Sequence, residues 1–180
     1  ISVYRELGRR TLPEGAAGAF TLPFSDLEIE NLVLRMGQVR TGIRRHESPQ
    51  TEAALSNDLA GFEAARANAG SHILRLAEAI GAPVLTTYKG KGVIPETHPL
   101  SLGGAGLSPL ADAVMLGLIR RSDLILMIGY DPIEQRIGWR QPWADDARVV
   151  EFTSAANTHY MHQAALSFVC DVGAGVAALD

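Results

Sequence analysis

Residues 124–128, Leu-Ile-Leu-Met-Ile, form an unbroken apolar run that ends at Gly129. A strand that is apolar on both faces must be covered on both sides, so the run predicts an interior strand of a parallel sheet. Shorter runs at 84–87, 149–152 and 167–169 predict three more strands of the same mostly parallel sheet. Between them the apolar period lengthens. Ala65, Ala69, Ile73, Leu76 and Ile80 are spaced three and four apart, which predicts one helix over 62–80. Gly81 stands where a left-handed cap is wanted. A second helix is expected over 109–120. Pro109 lies in its first turn, Leu110, Ala111, Val114 and Leu118 face inward, and Arg120-Arg121 complements the dipole at its end. Asp171 is positioned to cap a last helix through 179. Strand and helix in alternation predict a Rossmann-like three-layer α/β sandwich.

The front of the chain follows no such rhythm. Ser25 to Glu28 forms a capping box that starts a helix reaching about Met36, and Arg40, Arg44 and Arg45 form a basic run read as a solvated surface. The organisation expected is an unassigned extension over 1–57 and one domain over 58–180. The chain does not begin with Met, which suggests a fragment of something longer or a processed product.

Charge and composition remove several classes of function. The net charge of -4 argues against a nucleic-acid surface, which needs a basic patch. The single Cys170 excludes an internal disulfide and suggests a reducing compartment, so a cytoplasmic location is expected. No apolar run approaches the roughly 20 residues of a membrane span.

Candidate chemistry gathers where the predicted strands end. Lys89, Gly90, Lys91 and Gly92 follow the strand at 84–87 and combine ammonium charge with permissive backbone, a pairing suited to phosphate; a solvated loop is the competing reading. Gly103, Gly104 and Gly106 allow close approach by a backbone or a ligand, but not at the spacing of the dinucleotide fingerprint. Gly129, Tyr130 and Asp131 follow the central strand, at the edge where open α/β sheets build ligand crevices. Asp131 and Glu134 add negative charge that offsets the two lysines. Trp139 and Trp143 read equally as core or as anchors for a ligand ring or neighbouring domain. His159 and His162 are three apart and could bind a metal on a helix, but no third ligand is evident and no metal site is expected.

The run LAEAIGAPVLTTYKGKGVIPETHPLSLGGAGL resembles the central domain of thiamine diphosphate-dependent enzymes. SDLILMIGYDPIE is similar to the acetolactate synthase branch, including its flavin-independent catabolic members. RVVEFTSAANTHYMHQ and FVCDVGAGVAAL are similar to the closing strands and helix of that domain, so the likeness covers about 58–180. The family opens the domain with an apolar strand, where this chain reads Ser56-Asn57-Asp58-Leu59-Ala60-Gly61; that strand is therefore expected to be degraded or replaced. Cys170 stands where the family has Gly.

The resemblance implies a parent enzyme that decarboxylates a 2-keto acid. Its thiamine diphosphate and Mg²⁺ would be held by a Glu-bearing domain and a GDG-to-Asn segment, neither of which is found in this chain. It further implies flanking catalytic domains or subunits as partners and a homo-oligomer. Within the central domain it implies either FAD or ADP on the ten residues from Lys89 to Asp131 named above, or an empty structural wedge. The GYDPIE form and Pro132, which lacks an N–H, favour the wedge. The alternative is a stand-alone nucleotide-, NAD- or FAD-binding module without catalysis.

Overall fold

In a computed structural model the chain divides into two units between Ser48 and Pro49. Residues 55–158 and 161–179 are described below, all in the second unit. The expected helix from Ser25 and the basic run of Arg40, Arg44 and Arg45 lie outside the described residues.

Six strands form one sheet: β1 Leu55–Ala60, β2 Val84–Thr87, β3 Ser101–Ala105, β4 Ser122–Ile128, β5 Arg148–Thr153 and β6 Leu166–Val169. Every pairing is parallel and the spatial order is β3-β2-β1-β4-β5-β6. The chain lays down β1 to β3 in one direction, then crosses back and lays down β4 to β6 in the other. The reversal falls between β1 and β4, at the topological switch point. The helices are α1 Phe62–Arg66, α2 Gly70–Ile80, α3 Pro109–Ile119 and α4 Val172–Ala177. The Rossmann-like three-layer reading holds, and all four expected strands are present and parallel. None of the helices among the described residues is long and apolar enough to cross a membrane.

The two faces of the sheet have separate cores. Leu59, Leu85, Ile125, Met127 and Val149 share one face with Leu116 and Ile119 of α3, and with Tyr130 and Trp139. On the other face Phe152 meets α4 at Gly175, and α4 packs in turn on α2. From Leu124 to Ile128 every residue of β4 is buried. Each large apolar side chain so covered contributes about 1.5–3 kcal/mol. Trp139 is core, 1 % exposed, and Trp143 packs partly buried beside it.

Four expectations need correction. The first strand is neither degraded nor replaced: β1 sits between β2 and β4 and is laddered on both sides. Its polar sequence is overridden by tertiary context, which supplies two ready strand edges. Asn57 is wholly buried and donates from Nδ2 to Ser122 Oγ at 2.5 Å. Second, the helix at 62–80 is two helices. Asn68 takes φ 50°, a left-handed value that Asn tolerates, and Gly70 touches the backbone of Val93 so closely that a Cβ would lie 2.0 Å from its oxygen. Third, Gly103 and Gly104 belong to an edge strand, β3, whose ladder slips at Val84/Leu85; glycine inside a strand commonly marks such an irregularity. Fourth, α3 is rotated from its expected facing. Leu110 is 85 % and Val114 70 % exposed, while Asp112, Leu116 and Ile119 are buried. Asp112 turns inward because its Oδ1 accepts the Gly106 N–H at 2.8 Å.

Asp58 is the anomaly of the core. It is 0 % exposed in the middle of β1, between Val84 and Leu126, and neither carboxyl oxygen has a partner. Burial raises its pKa well above the usual carboxylate range. The unfolded chain ionises this group near pH ~3.9, whereas the fold keeps its proton. Its contribution is therefore most favourable below that pH and is lost as pH rises, at about 1.4 kcal/mol per unit until the folded group ionises. Urea unfolding of Asp58→Val should show a gain of ~1–3 kcal/mol at pH 7, and Asp58→Asn should lose this pH slope. Equal stability of the native chain and Asp58→Val at pH 5 and pH 8 would contradict the assignment.

Candidate functional site

Open α/β sheets bind ligands outside the carboxyl ends of their strands, at the switch point. Here that place is filled by backbone. Gly61 follows β1 and Gly129 follows β4; a Cβ on Gly61 would lie 2.2 Å from Gly129 O. Gly129 has φ +56°, and a Cβ on it would lie 2.4 Å from Ala64 N. Two glycines thus let the exits of β1 and β4 touch. Gly61 N–H donates to Ile128 O at 2.9 Å, Glu63 N–H to Gly129 O at 3.2 Å and Gly129 N–H to Phe152 O at 2.7 Å. Amides that could cradle an anion are used to close the edge.

The lysine–glycine loop joins this closure only in part. Gly90 packs on β1, where a Cβ would be 2.6 Å from Ala60 O, and its N–H lies 3.1 Å from both Thr87 O and Thr87 Oγ1. Lys89 is exposed, with its ammonium 6.0 Å from the Phe62 ring centroid. Lys91 pairs with Glu96 at 3.4 Å rather than with Asp131 or Glu134, and its stem lies against Gly104. Gly92 and Gly103 have φ +84° and +77°.

The other candidates are drawn elsewhere. Gly106 gives its N–H to Asp112, its carbonyl accepts from Arg136 N–H at 3.1 Å, and the Gln135 side chain occupies the space a Cβ would need. Asp131 Oδ1 accepts from Ile133 N–H at 3.0 Å and so caps the short 3₁₀ turn Pro132–Glu134. The structure therefore brings Gly90 and Gly129 together across Gly61. Lys91 lies with Gly104, and Gly106, Tyr130 and Asp131 serve the loop after β4.

Tyr130 points inward to His162. His159 lies outside the described residues. Tyr130 Oη is 2.8 Å from His162 Nδ1, and His162 Nε2 reaches the Trp139 carbonyl. A carbonyl only accepts, so Nε2 carries the hydrogen, Nδ1 is the acceptor and the phenol donates to it. Both ring nitrogens are engaged. The imidazole stacks on Tyr130 with centroids 5.7 Å apart and meets Trp143 at 5.2 Å. Burial pushes the His162 pKa down, opposed by its bond to the Trp139 carbonyl. Burial, then Glu134 and Asp131, push Tyr130 well up. The cluster ties the excursion after β4 to the one after β5.

A second polar place went unread. Glu63, Arg66, Ala67, Ser154, Asp171 and Val172 line an open cleft of about 210 Å³ beside the ends of β5 and β6. Glu63 accepts from Thr153 Oγ1 at 3.1 Å, Ser154 N–H at 2.8 Å and Ser154 Oγ at 2.6 Å. Thr153-Ser154 was visible as a strand end, but nothing marked Glu63, ninety residues away, as its partner. Cys170, whose thiol burial pushes up to about 12, is not a nucleophile at neutral pH.

Comparison with known proteins agrees with this architecture. The family model described as thiamine pyrophosphate enzyme, central domain, matches residues 59–179. The chain belongs to that family. Among curated relatives, the acetolactate synthase large subunit of Corynebacterium glutamicum is 34 % identical over 85 residues, 47 % of this chain and 13 % of that protein. The probable acetolactate synthase large subunit of Methanocaldococcus jannaschii is 34 % identical over 92 residues, 51 % of this chain and 15 % of that protein. This central domain thus spans only a small part of the length of the relatives it matches. A Mycobacterium smegmatis protein assigned as a thiamin diphosphate-dependent enzyme shares the fold, with TM-score 0.58 and 23 % identity, over 82 % of this chain and 27 % of that one.

Two outcomes are expected. Gly61→Ala or Gly129→Ala should cost roughly 2–4 kcal/mol or prevent folding, since each Cβ meets backbone that cannot step aside. Thermal melts as stable as the native chain would show that the edge is not closed as described. His162 has a lowered folded pKa and accepts a proton near pH ~6.5 only when unfolded. Its contribution is complete above that pH and is lost as pH falls through the folded value. Tyr130→Phe should cost about 1 kcal/mol at pH 7.5, and His162→Gln should remove the acid limb of the stability profile.

Proposed function

We propose that this chain is the middle part of a thiamine diphosphate-dependent enzyme that decarboxylates a 2-keto acid, of the acetolactate synthase kind, and that its part there is structural. The observation that carries the structural reading is the closed switch point. The backbone N–H groups of Gly61, Glu63, Gly90, Gly106 and Gly129 are all taken by protein acceptors, so a diphosphate would have to displace them. Lys91 is also neutralised by Glu96. These features disfavour FAD and ADP at Lys89, Gly90, Lys91, Gly92, Gly103, Gly104, Gly106, Gly129, Tyr130 and Asp131.

Among the described residues no group of three or more His, Cys, Asp or Glu is placed to hold a metal ion. Thiamine diphosphate and Mg²⁺ are accordingly assigned to flanking catalytic domains or subunits of a parent polypeptide. A cytoplasmic, homo-oligomeric parent is the reading that goes with it; the extension expected over 1–57 gives up its last residues to β1, which begins at Leu55.

The 180-residue chain should release no carbon dioxide and form no acetolactate from pyruvate with thiamine diphosphate and Mg²⁺ added. Calorimetry with FAD and with ADP should show no saturable heat. Turnover by the pure chain would refute the first statement. Tight FAD or ADP binding, lost in Lys89→Ala or Lys91→Ala, would replace the structural role with that of a nucleotide-binding module.

A further inference from the structure

Tyr130, Trp139 and His162, all buried, join two long connections that no ladder holds. Among the described residues, the stretches between β4 and β5 and between β5 and β6 contain no strand and no α-helix. Segments of that kind open locally at less cost than the sheet they lie on. The second stretch is fastened at its ends, by Ser154 N–H on Glu63 and by Ala165 N–H on Val149 O. Between those ends Asn157 bonds Glu151, and His162 reaches Tyr130 and the Trp139 carbonyl. We propose that His162 is an acid-released clasp: when the imidazole takes up a proton, the two connections part from each other and from the sheet face beneath, while the six strands stay paired.

The neutral ring is fully used, with Nε2–H donating to the carbonyl and Nδ1 accepting from the phenol. A proton on Nδ1 sets a second donor against the Tyr130 O–H. The phenol must then turn its hydrogen away inside a site where it is 4 % exposed, or the bond is lost. His162 also takes φ 54°, in the left-handed region. Its backbone is held there by what the ring touches and relaxes once the ring lets go. Acid does not loosen the sheet in the same way. Asp58 lies on the opposite face from Leu59 and the aromatic cluster, and the fold favours its protonated form. Falling pH therefore strengthens the centre of the sheet while it works against the clasp. The charged side chains on the surrounding elements are committed elsewhere or exposed. Asp131 and Glu134 act on Tyr130, and Asp112 of α3 is bonded to Gly106. Glu63 of α1 holds Thr153 and Ser154, and Glu151 of β5 holds Ser167 and Asn157. Arg136, Arg140, Asp145 and Asp146 are exposed. Glu151, whose pKa burial raises, is the rival acid trigger. Opening bares Trp139 and Trp143 with their share of the core around Met127 and Val149.

Hydrogen exchange read by mass spectrometry on the 180-residue chain tests this, since it detects even a small open fraction. An exposed imidazole ionises near pH ~6.5, so the open form gains weight as pH falls below that value. Protection of peptides from 130–147 and 154–165, corrected for the intrinsic exchange rate, should fall about ten- to thirtyfold between pH 7.5 and pH 5. Peptides from β1 and β4 should keep their protection or gain it over the same range. His162→Gln, with a native-like far-UV circular dichroism spectrum, should show equal protection in the two connections at both pH values. Glu151→Gln should keep the native pH response. Protection that does not change between pH 7.5 and pH 5 overturns the proposal. So does protection that falls equally in β1 and β4, which is unfolding of the whole domain. A pH response that survives His162→Gln, or one that Glu151→Gln abolishes, gives the trigger to another group and overturns it as well.

Discussion

The contact on which the rest of the domain depends is the one between two loops that have no side chains to separate them. Gly61 and Gly129 lie at the ends of the two strands that flank the switch point, and their backbones meet. The contact fixes the relative height of β1 and β4, and hence the register of a sheet built outward from that pair. It also aligns α1, whose Ala64 amide lies against Gly129. In many folds of this strand order the same place is kept open for a pyrophosphate. Closing it trades a ligand crevice for a rigid centre.

Around that centre the polar residues act as fasteners. Asp112 holds the loop before α3, Asp131 caps the turn after β4, Glu63 gathers the end of β5, and His162 joins Tyr130 to the Trp139 carbonyl. Each ties a long connection to the sheet. Asp58 alone fastens nothing. The sheet accepts its burial because β1 is enclosed on both sides by strands that bury far more apolar surface than one neutral carboxyl group disturbs.

Much of the fold was legible in the sequence because apolar runs and periods report burial directly. The strands at 84–87, 124–128, 149–152 and 167–169, the cap at Gly81 and the cap at Asp171 are all local signals. What was not legible depended on distant partners. Ser56-Asn57-Asp58 reads as loop until β2 and β4 flank it. Leu110 and Val114 read as core until Asp112 is seen to turn the helix through a loop amide. The glycines of β3 read as flexible because a strand made of them has no side-chain pattern to detect. At the candidate site the glycines were found, and what was not legible was that Gly129 meets the backbone of Gly61 and α1. The partner of His162 was not legible, because Tyr130 is thirty-two residues away in sequence and adjacent only through β4 and β5.

The polarity of β1 also bears on the order in which the domain assembles. A strand reading Ser-Asn-Asp has little tendency to extend on its own, and β1 brings chiefly Leu59 to the core. It gains its ladders only where β2 and β4 already present their edges. We expect the centre of the sheet to be the late-forming part, so that conservative substitutions in β1 act on the unfolding rate rather than the folding rate.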